Sequence, residues 1–167
     1  MKWFRYVFPR RTALAGTLAS AVSITLVLTP ANAQLAPNTN FTGHNFSNQS
    51  LIGQDGSYSN FTNANFTGAN LTSANLTGAN LQAATFTGAN LLGTTLSGSN
   101  ITDIQLRSAG NIEGITLYGN NLTNYDLHGL DLSGANLTDV NLNSAILTGA
   151  NLTGANLVDR GTQSIPR

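Results

Sequence analysis

The sequence contains no cysteine, which excludes a disulfide framework and thiol chemistry and leaves packing as the source of stability. Charge is scarce too, at 8% of residues, and the few basic residues crowd the start: Lys2, Arg5, Arg10 and Arg11 are four of the seven. Beyond residue 33 there is no lysine, and only Arg107, Arg160 and Arg167 face all seven acidic residues, a formal charge of 3 − 7 = −4. Phosphate neutralisation needs clustered cations, so nucleic-acid binding is excluded. Catalytic signatures are missing as well: no nucleophile elbow, phosphate loop or zinc-ligand spacing occurs. Asp126, His128 and Asp131 bring only one histidine to their neighbourhood, and His44 stands alone near the start, so no metal, cofactor or catalytic residue is assigned.

The N-terminus differs from the rest. A basic segment, Met1 to Arg11, leads into an apolar run from Ala13 to Leu28 that closes at Ala31-Asn32-Ala33, the outline of a secretory signal peptide over residues 1–33 cleaved before Gln34. The run is shorter than the ~20 residues a bilayer span needs and is interrupted by Thr17, Ser20, Ser23 and Thr25, so no stable membrane span is expected after its removal. Arg10-Arg11-Thr12-Ala13-Leu14 resembles a twin-arginine export signal, and the choice between that route and the general secretory one stays open. Either route places the mature chain in the periplasm, the thylakoid lumen or outside the cell.

What the sequence has in abundance is a repeat. Asn60 to Leu81 reads NFTNANFTGANLTSANLTGANL, a five-residue unit with almost no drift. Five fits neither the helical period nor the simple alternation of a long strand. In Ala69-Asn70-Leu71 the Ala and Leu share one side and Asn faces the other, and the pair Thr72-Ser73 is turn-permissive. Each unit is therefore a three-residue strand plus a corner, which can bury its apolar face only by coiling and stacking on the unit one turn later. Ala64-Asn65-Phe66, Ala74-Asn75-Leu76, Ala79-Asn80-Leu81, Ala135-Asn136-Leu137 and Ala155-Asn156-Leu157 carry the same motif. The chain thus resembles the pentapeptide repeat family, whose motif is Ala-(Asp/Asn)-Leu-X-X. The resemblance implies an all-β fold, a right-handed, four-sided (quadrilateral) parallel β-helix with about four repeats per coil. The dense Asn-Leu-Thr triplets, by-products of the repeat, and the leader favour a bacterial source, with cyanobacteria, where such repeats abound, among the candidates.

In that register residues 34–40 form a linker, 41–158 make about six coils, and 159–167 are a C-terminal tail. The centres run in steps of five from Phe41 to Leu106, with Gly56 the one empty slot. After a single-residue slip near Ala109 to Asn111 they resume from Ile112 to Leu157. One inward column is Phe46, Phe66, Phe86, Leu106, Leu127 and Leu147, expected to stack its aromatic rings inside the rod. Residues 41–60 read as a looser cap coil, because Thr39, two before its first centre, and then His44, Gln49, Gln54 and Ser59 stand where inward Ala is usual. The regular C-terminal coil lacks such a cap and is a candidate homodimer surface, as the resemblance also implies.

The middle, 101–130, departs furthest: Ile104, Ile115, Asn120, Tyr125 and Leu130 replace the inward Ala, and charge collects there. Arg107, Glu113, Tyr118, Asp126, His128 and Asp131 form the candidate partner-binding patch, with the alternative that this is only a bulged coil carrying solvated charges. The favoured function is a non-enzymatic exported scaffold or protein-interaction module with an unidentified protein partner. One alternative is binding of polysaccharide or ice by Thr/Asn ladders such as Thr42, Thr62, Thr102 and Thr123, interrupted by Gln82. Topoisomerase inhibition by DNA mimicry, known in acidic cytoplasmic members of the family, is disfavoured by the leader and the modest charge.

Overall fold

The structure is a computed structural model that describes residues 34–160; the expected signal peptide and residues 161–167 of the expected tail lie outside the described residues. Parallel bridges recur at an offset of twenty residues, as in Asn40 to Asn60, Asn45 to Asn65, Ser50 to Asn70 and Asp55 to Asn75, and these four bridges mark, in that order, the first to fourth faces of a right-handed β-helix. Each face is one repeat wide. Inside, the centre residue and the residue two before it are buried: Ala64, Phe66, Ala69, Leu71, Ala74 and Leu76 are all at most 1% exposed.

The corners follow from local chemistry. In almost every repeat the second residue after the centre has positive φ, from 54° at Asn38 to 71° at Gly154, which is why Gly, Asn and Ser dominate there. The outward Asn then caps its own corner. Asn70 Oδ1 accepts from Thr72 N at 3.1 Å, and the same bond recurs from Asn40 to Asn156. Ladder bonds such as Leu71 N to Asn90 O, 2.8 Å, tie successive coils. Side-chain bonds between coils occur only at places, among them Asn100 Nδ2 to Asn80 Oδ1 at 2.8 Å.

Two ring stacks run inside the N-terminal half. Phe46, Phe66 and Phe86 lie with centroids 5.0 Å apart and planes within 9° of parallel. Phe41 and Phe61 form a second stack at 5.1 Å, which the reading of columns did not single out. The column continues with buried Leu106 and Leu127, but Leu147, expected in the core, is only partly buried because it belongs to the last coil.

The N-terminal end corrects two expectations. Residues 34–40 are not a linker: Asn38 N donates to Ser57 O at 2.9 Å, Ser59 Oγ donates to Ala36 O at 2.8 Å, and Leu35 is buried. Nor is the slot at Gly56 empty. Leu35 fills it, its Cδ1 lying 3.2 Å from where a Gly56 Cβ would stand.

The slip is also differently built. A six-residue helix, α1 (Asp103–Ser108), replaces the corner and strand of the second face in the fourth coil. Thr102 caps it, accepting from Gln105 N, while Gln105 Oε1 accepts from Thr102 N, a reciprocal capping box. Leu106 stays in the core, but Ile104, expected to replace an inward Ala, is turned outward and 76% exposed. Past the helix the ladder offset is twenty-one residues, Asn90 to Asn111 and Thr95 to Thr116, and then twenty again at Thr116 to Asn136.

Candidate functional site

A helix inserted in a solenoid removes ladder partners from the coils on either side, and buried backbone groups must find others. Three polar side chains supply them. Gln105 Nε2 donates to Leu81 O and Ala84 O at 2.8 and 2.9 Å, Asn120 Oδ1 accepts from Gly98 N at 2.8 Å, and Tyr125 OH donates to Ile101 O at 2.8 Å. Burial, with Asp103 nearby, raises the Tyr125 phenol above its ordinary pKa. The polar departures from the motif thus maintain the bulge, and the sequence signal for the helix was present: Thr102 and Gln105 at capping-box spacing, with no Gly or Asn at position 103.

On the outer side of α1, three residues of the expected patch meet. Arg107 Nη1 donates to His128 O at 3.0 Å and lies 3.7 Å from Asp126 Oδ1. His128 Nδ1 is 2.7 Å from the same carboxylate oxygen, so Nδ1 carries the proton and donates. Arg107 Nη1 is 3.1 Å from that nitrogen, which therefore has no lone pair to offer it; the guanidinium is held by the backbone carbonyl instead. The hydrogen bond from the His128 side chain, then that from the His128 N–H, holds Asp126 below the usual carboxylate range, with smaller help from the charges of His128 and Arg107. Asp103 completes the tie, its Oδ2 accepting from Asp126 N at 3.2 Å. The cluster fastens α1 to the fifth coil at a half-exposed surface, flanked on the same face by Ile104 and by Ile146, 51% exposed.

The other three patch residues sit elsewhere. Glu113 and Asp131 line a cavity on the adjacent third face, where Asp131 is held by the Ser133 side chain and N–H and by Asn151 Nδ2, which keep its carboxyl below the usual range. Tyr118, 45% exposed, follows the fourth-face centre Leu117 and occupies the corner diagonally opposite Arg107 and His128. A column of five-residue steps wraps around four sides, so closeness in sequence did not guarantee a shared corner.

The threonine column is not a flat ladder. Thr42, Thr62 and Thr123 turn their hydroxyls onto Asn40, Asn60 and Asn121 at 2.6 Å, and Thr102 is the cap of α1. Among the described residues no helix is long and apolar enough to cross a membrane, and no group of His, Cys, Asp or Glu is arranged to hold a metal ion.

The family profile described as pentapeptide repeats matches eight copies, over residues 38–72, 57–88, 74–109 and 111–159. No curated protein matches the chain. Among solved structures it is similar to trypsin-treated QnrB1, a plasmid-mediated fluoroquinolone resistance protein, with TM-score 0.50, 22% identity, and 73% and 72% of the two chains covered. HetL from the cyanobacterium Nostoc, involved in heterocyst differentiation regulation, matches at 27% identity and TM-score 0.29, covering 71% of this chain and 57% of that one. A pentapeptide repeat protein of the Arabidopsis thaliana thylakoid lumen matches at 30% identity and TM-score 0.28, covering 71% and 65%. This chain thus spans less than two thirds of the length of the latter two, and the likeness to QnrB1 is one of fold.

Proposed function

Because the chain belongs to the pentapeptide repeat family, we propose that it is a non-enzymatic, exported interaction scaffold that binds a protein partner through the irregular middle around α1. One observation carries this reading. The only helix among the described residues coincides with the Arg107, Asp126 and His128 cluster and with the outward Ile104. Regular faces present Asn and Thr already bonded to their own repeats, whereas this surface combines an apolar anchor with a cation and carboxylates fixed in place. Glu113 and Asp131 extend the surface onto the third face; Tyr118, at the far corner, does not belong to it.

Export is supported by the leader at residues 1–33, and the periplasm, the thylakoid lumen and the cell exterior are the compartments it permits. The C-terminal coil is proposed as a homodimer surface, since Leu142, Leu147 and Leu152 are only partly buried there and Leu157 is 46% exposed. The threonine hydroxyls, already committed to neighbouring Asn, weaken the ice and polysaccharide reading, and a mature charge of 3 − 7 = −4 weakens DNA mimicry.

The test is capture of partners from envelope and lumen fractions by the protein and by a variant carrying Ile104→Ser, Arg107→Ala and His128→Ala, with circular dichroism confirming an unchanged fold. Loss of a partner in the variant alone supports the reading; equal capture by both forms refutes it.

A further inference from the structure

On the third face the ladder between the fourth and fifth coils is interrupted just before Gly114, whose N–H still donates to Ser133 O at 2.8 Å. Elsewhere on this face the register pairs each centre N–H with a carbonyl below, as in Leu91 N to Asn111 O at 2.7 Å and Leu132 N to Asn151 O at 2.9 Å. The same register would pair Ile112 N with Asp131 O and Asp131 N with Gly110 O. Neither bond forms, and no bridge joins Asn111 to Asp131. The cause is the extra residue after α1: it draws Gly110 up against Gly88, so closely that a Cβ on Gly110 would lie 3.0 Å from Gly88 O, and Gly110 N donates to Ala89 O at 2.8 Å. What remains below is an open cavity of about 400 Å³ with Leu106, Ile112 and Leu130 at its apolar wall and Glu113 and Asp131 among its polar lining.

We propose that this notch binds an extended segment of a partner protein carrying a lysine or arginine. Two features of the wall select that occupant. First, the unpaired N–H groups of Ile112 and Asp131 and carbonyls of Gly110 and Asp131 offer hydrogen bonds to an extended chain laid across the mouth of the notch, which closes where Gly114 N donates to Ser133 O at 2.8 Å. Second, an apolar wall with carboxylates suits a side chain with a methylene stem and a cationic head. The carboxylates suit this role: among the described residues Glu113 makes no ion pair, Asp131 is preset through Oδ1 by Ser133 and Asn151, and the nearby cation, Arg107, is spent on Asp126 and the His128 carbonyl. An acidic or neutral segment would leave both carboxylates unmatched.

This inference rests on the interaction-scaffold reading and names the chemistry of its partner. The experiment is a titration of the 15N-labelled protein with the blocked pentapeptide Thr-Val-Lys-Val-Thr, followed by NMR. The expected result is saturable movement of the Ile112 and Asp131 amide signals, with Kd raised about tenfold by Glu113→Gln combined with Asp131→Asn and raised by added salt. The single exposed change Glu113→Gln, which breaks no bond of the fold, should give a smaller rise in the same direction. Unmoved amides, equal binding of a norleucine analogue, or equal binding of butylammonium alone would each overturn the proposal. Loss of partner capture in the Ile104, Arg107 and His128 variant, with no peptide response at the notch, would leave the scaffold reading standing and remove only this one.

Discussion

Leu35 occupies the space that a side chain at position 56 would fill. A Cβ on Gly56 would stand 2.9 Å from Phe61 Cζ, 3.1 Å from Leu76 Cδ2 and 3.2 Å from Leu35 Cδ1. The missing centre of one repeat is thus supplied from the segment before the first coil, and the N-terminal end of the rod is sealed by its own chain.

Gly56→Ala, although a step toward the repeat motif, should destabilise by about 1–3 kcal/mol through overpacking. Leu35→Ala should cost about 2 kcal/mol by opening the same space. Combined, the two should cost less than their sum, because the truncated Leu35 makes room for the new methyl. Urea unfolding of the four forms measures this; strict additivity would mean that the two residues do not share a space.

Phe66 sits between Phe46 and Phe86 with no exposed surface. Phe66→Ala should therefore cost about 3–5 kcal/mol, and a loss below about 1 kcal/mol in chemical denaturation would contradict the inward stack.

Gln105→Leu keeps the volume of a buried side chain but leaves Ala84 O without a donor and Leu81 O with only the Ala84 N–H. A loss of about 1–3 kcal/mol is expected, whereas Ile104→Ser one position earlier should change stability by no more than about 0.5 kcal/mol. Equal effects would mean that α1 is held by something other than its polar underside.

Asp126 is held below the usual carboxylate range in the folded state, first by the His128 side chain. Its contribution to stability is therefore fully present above the ordinary carboxylate pKa, near 4, and is lost as pH falls through the lower folded value. Urea midpoints measured on descending pH should fall more steeply for the protein than for Asp126→Asn. Parallel curves would show that the cluster does not tie α1 to the coil.

If the C-terminal coil pairs two copies, light scattering at micromolar concentration should give twice the chain mass, and Leu157→Asp, at a residue 46% exposed, should return the monomer without unfolding it. A monomer from the unaltered protein would end that proposal.

The five-residue period was enough to require a coiled, stacked solenoid, because an inward pair, an outward Asn and a turn-permissive corner cannot bury the apolar side otherwise; the four-sided, right-handed form was what the family resemblance implied. With the twenty-residue coil that the resemblance implied, the same register gave the Phe46, Phe66 and Phe86 column, since residues a full coil apart must stack. What the repeat could not decide was the behaviour of residues outside its register. Leu35 looked like part of a linker because its slot lies twenty-one residues downstream, at Gly56. Ile104 matched an inward position by counting, yet faces solvent because the Thr102 and Gln105 cap turns strand into helix. The candidate patch divided in the same way. Arg107, Asp126 and His128 meet at one corner because α1 leans over the coil below, Glu113 and Asp131 line the gap that α1 opens, and Tyr118 is carried to the opposite corner. Local periodicity sets which way each side chain points; only the closed coil sets which of those directions converge.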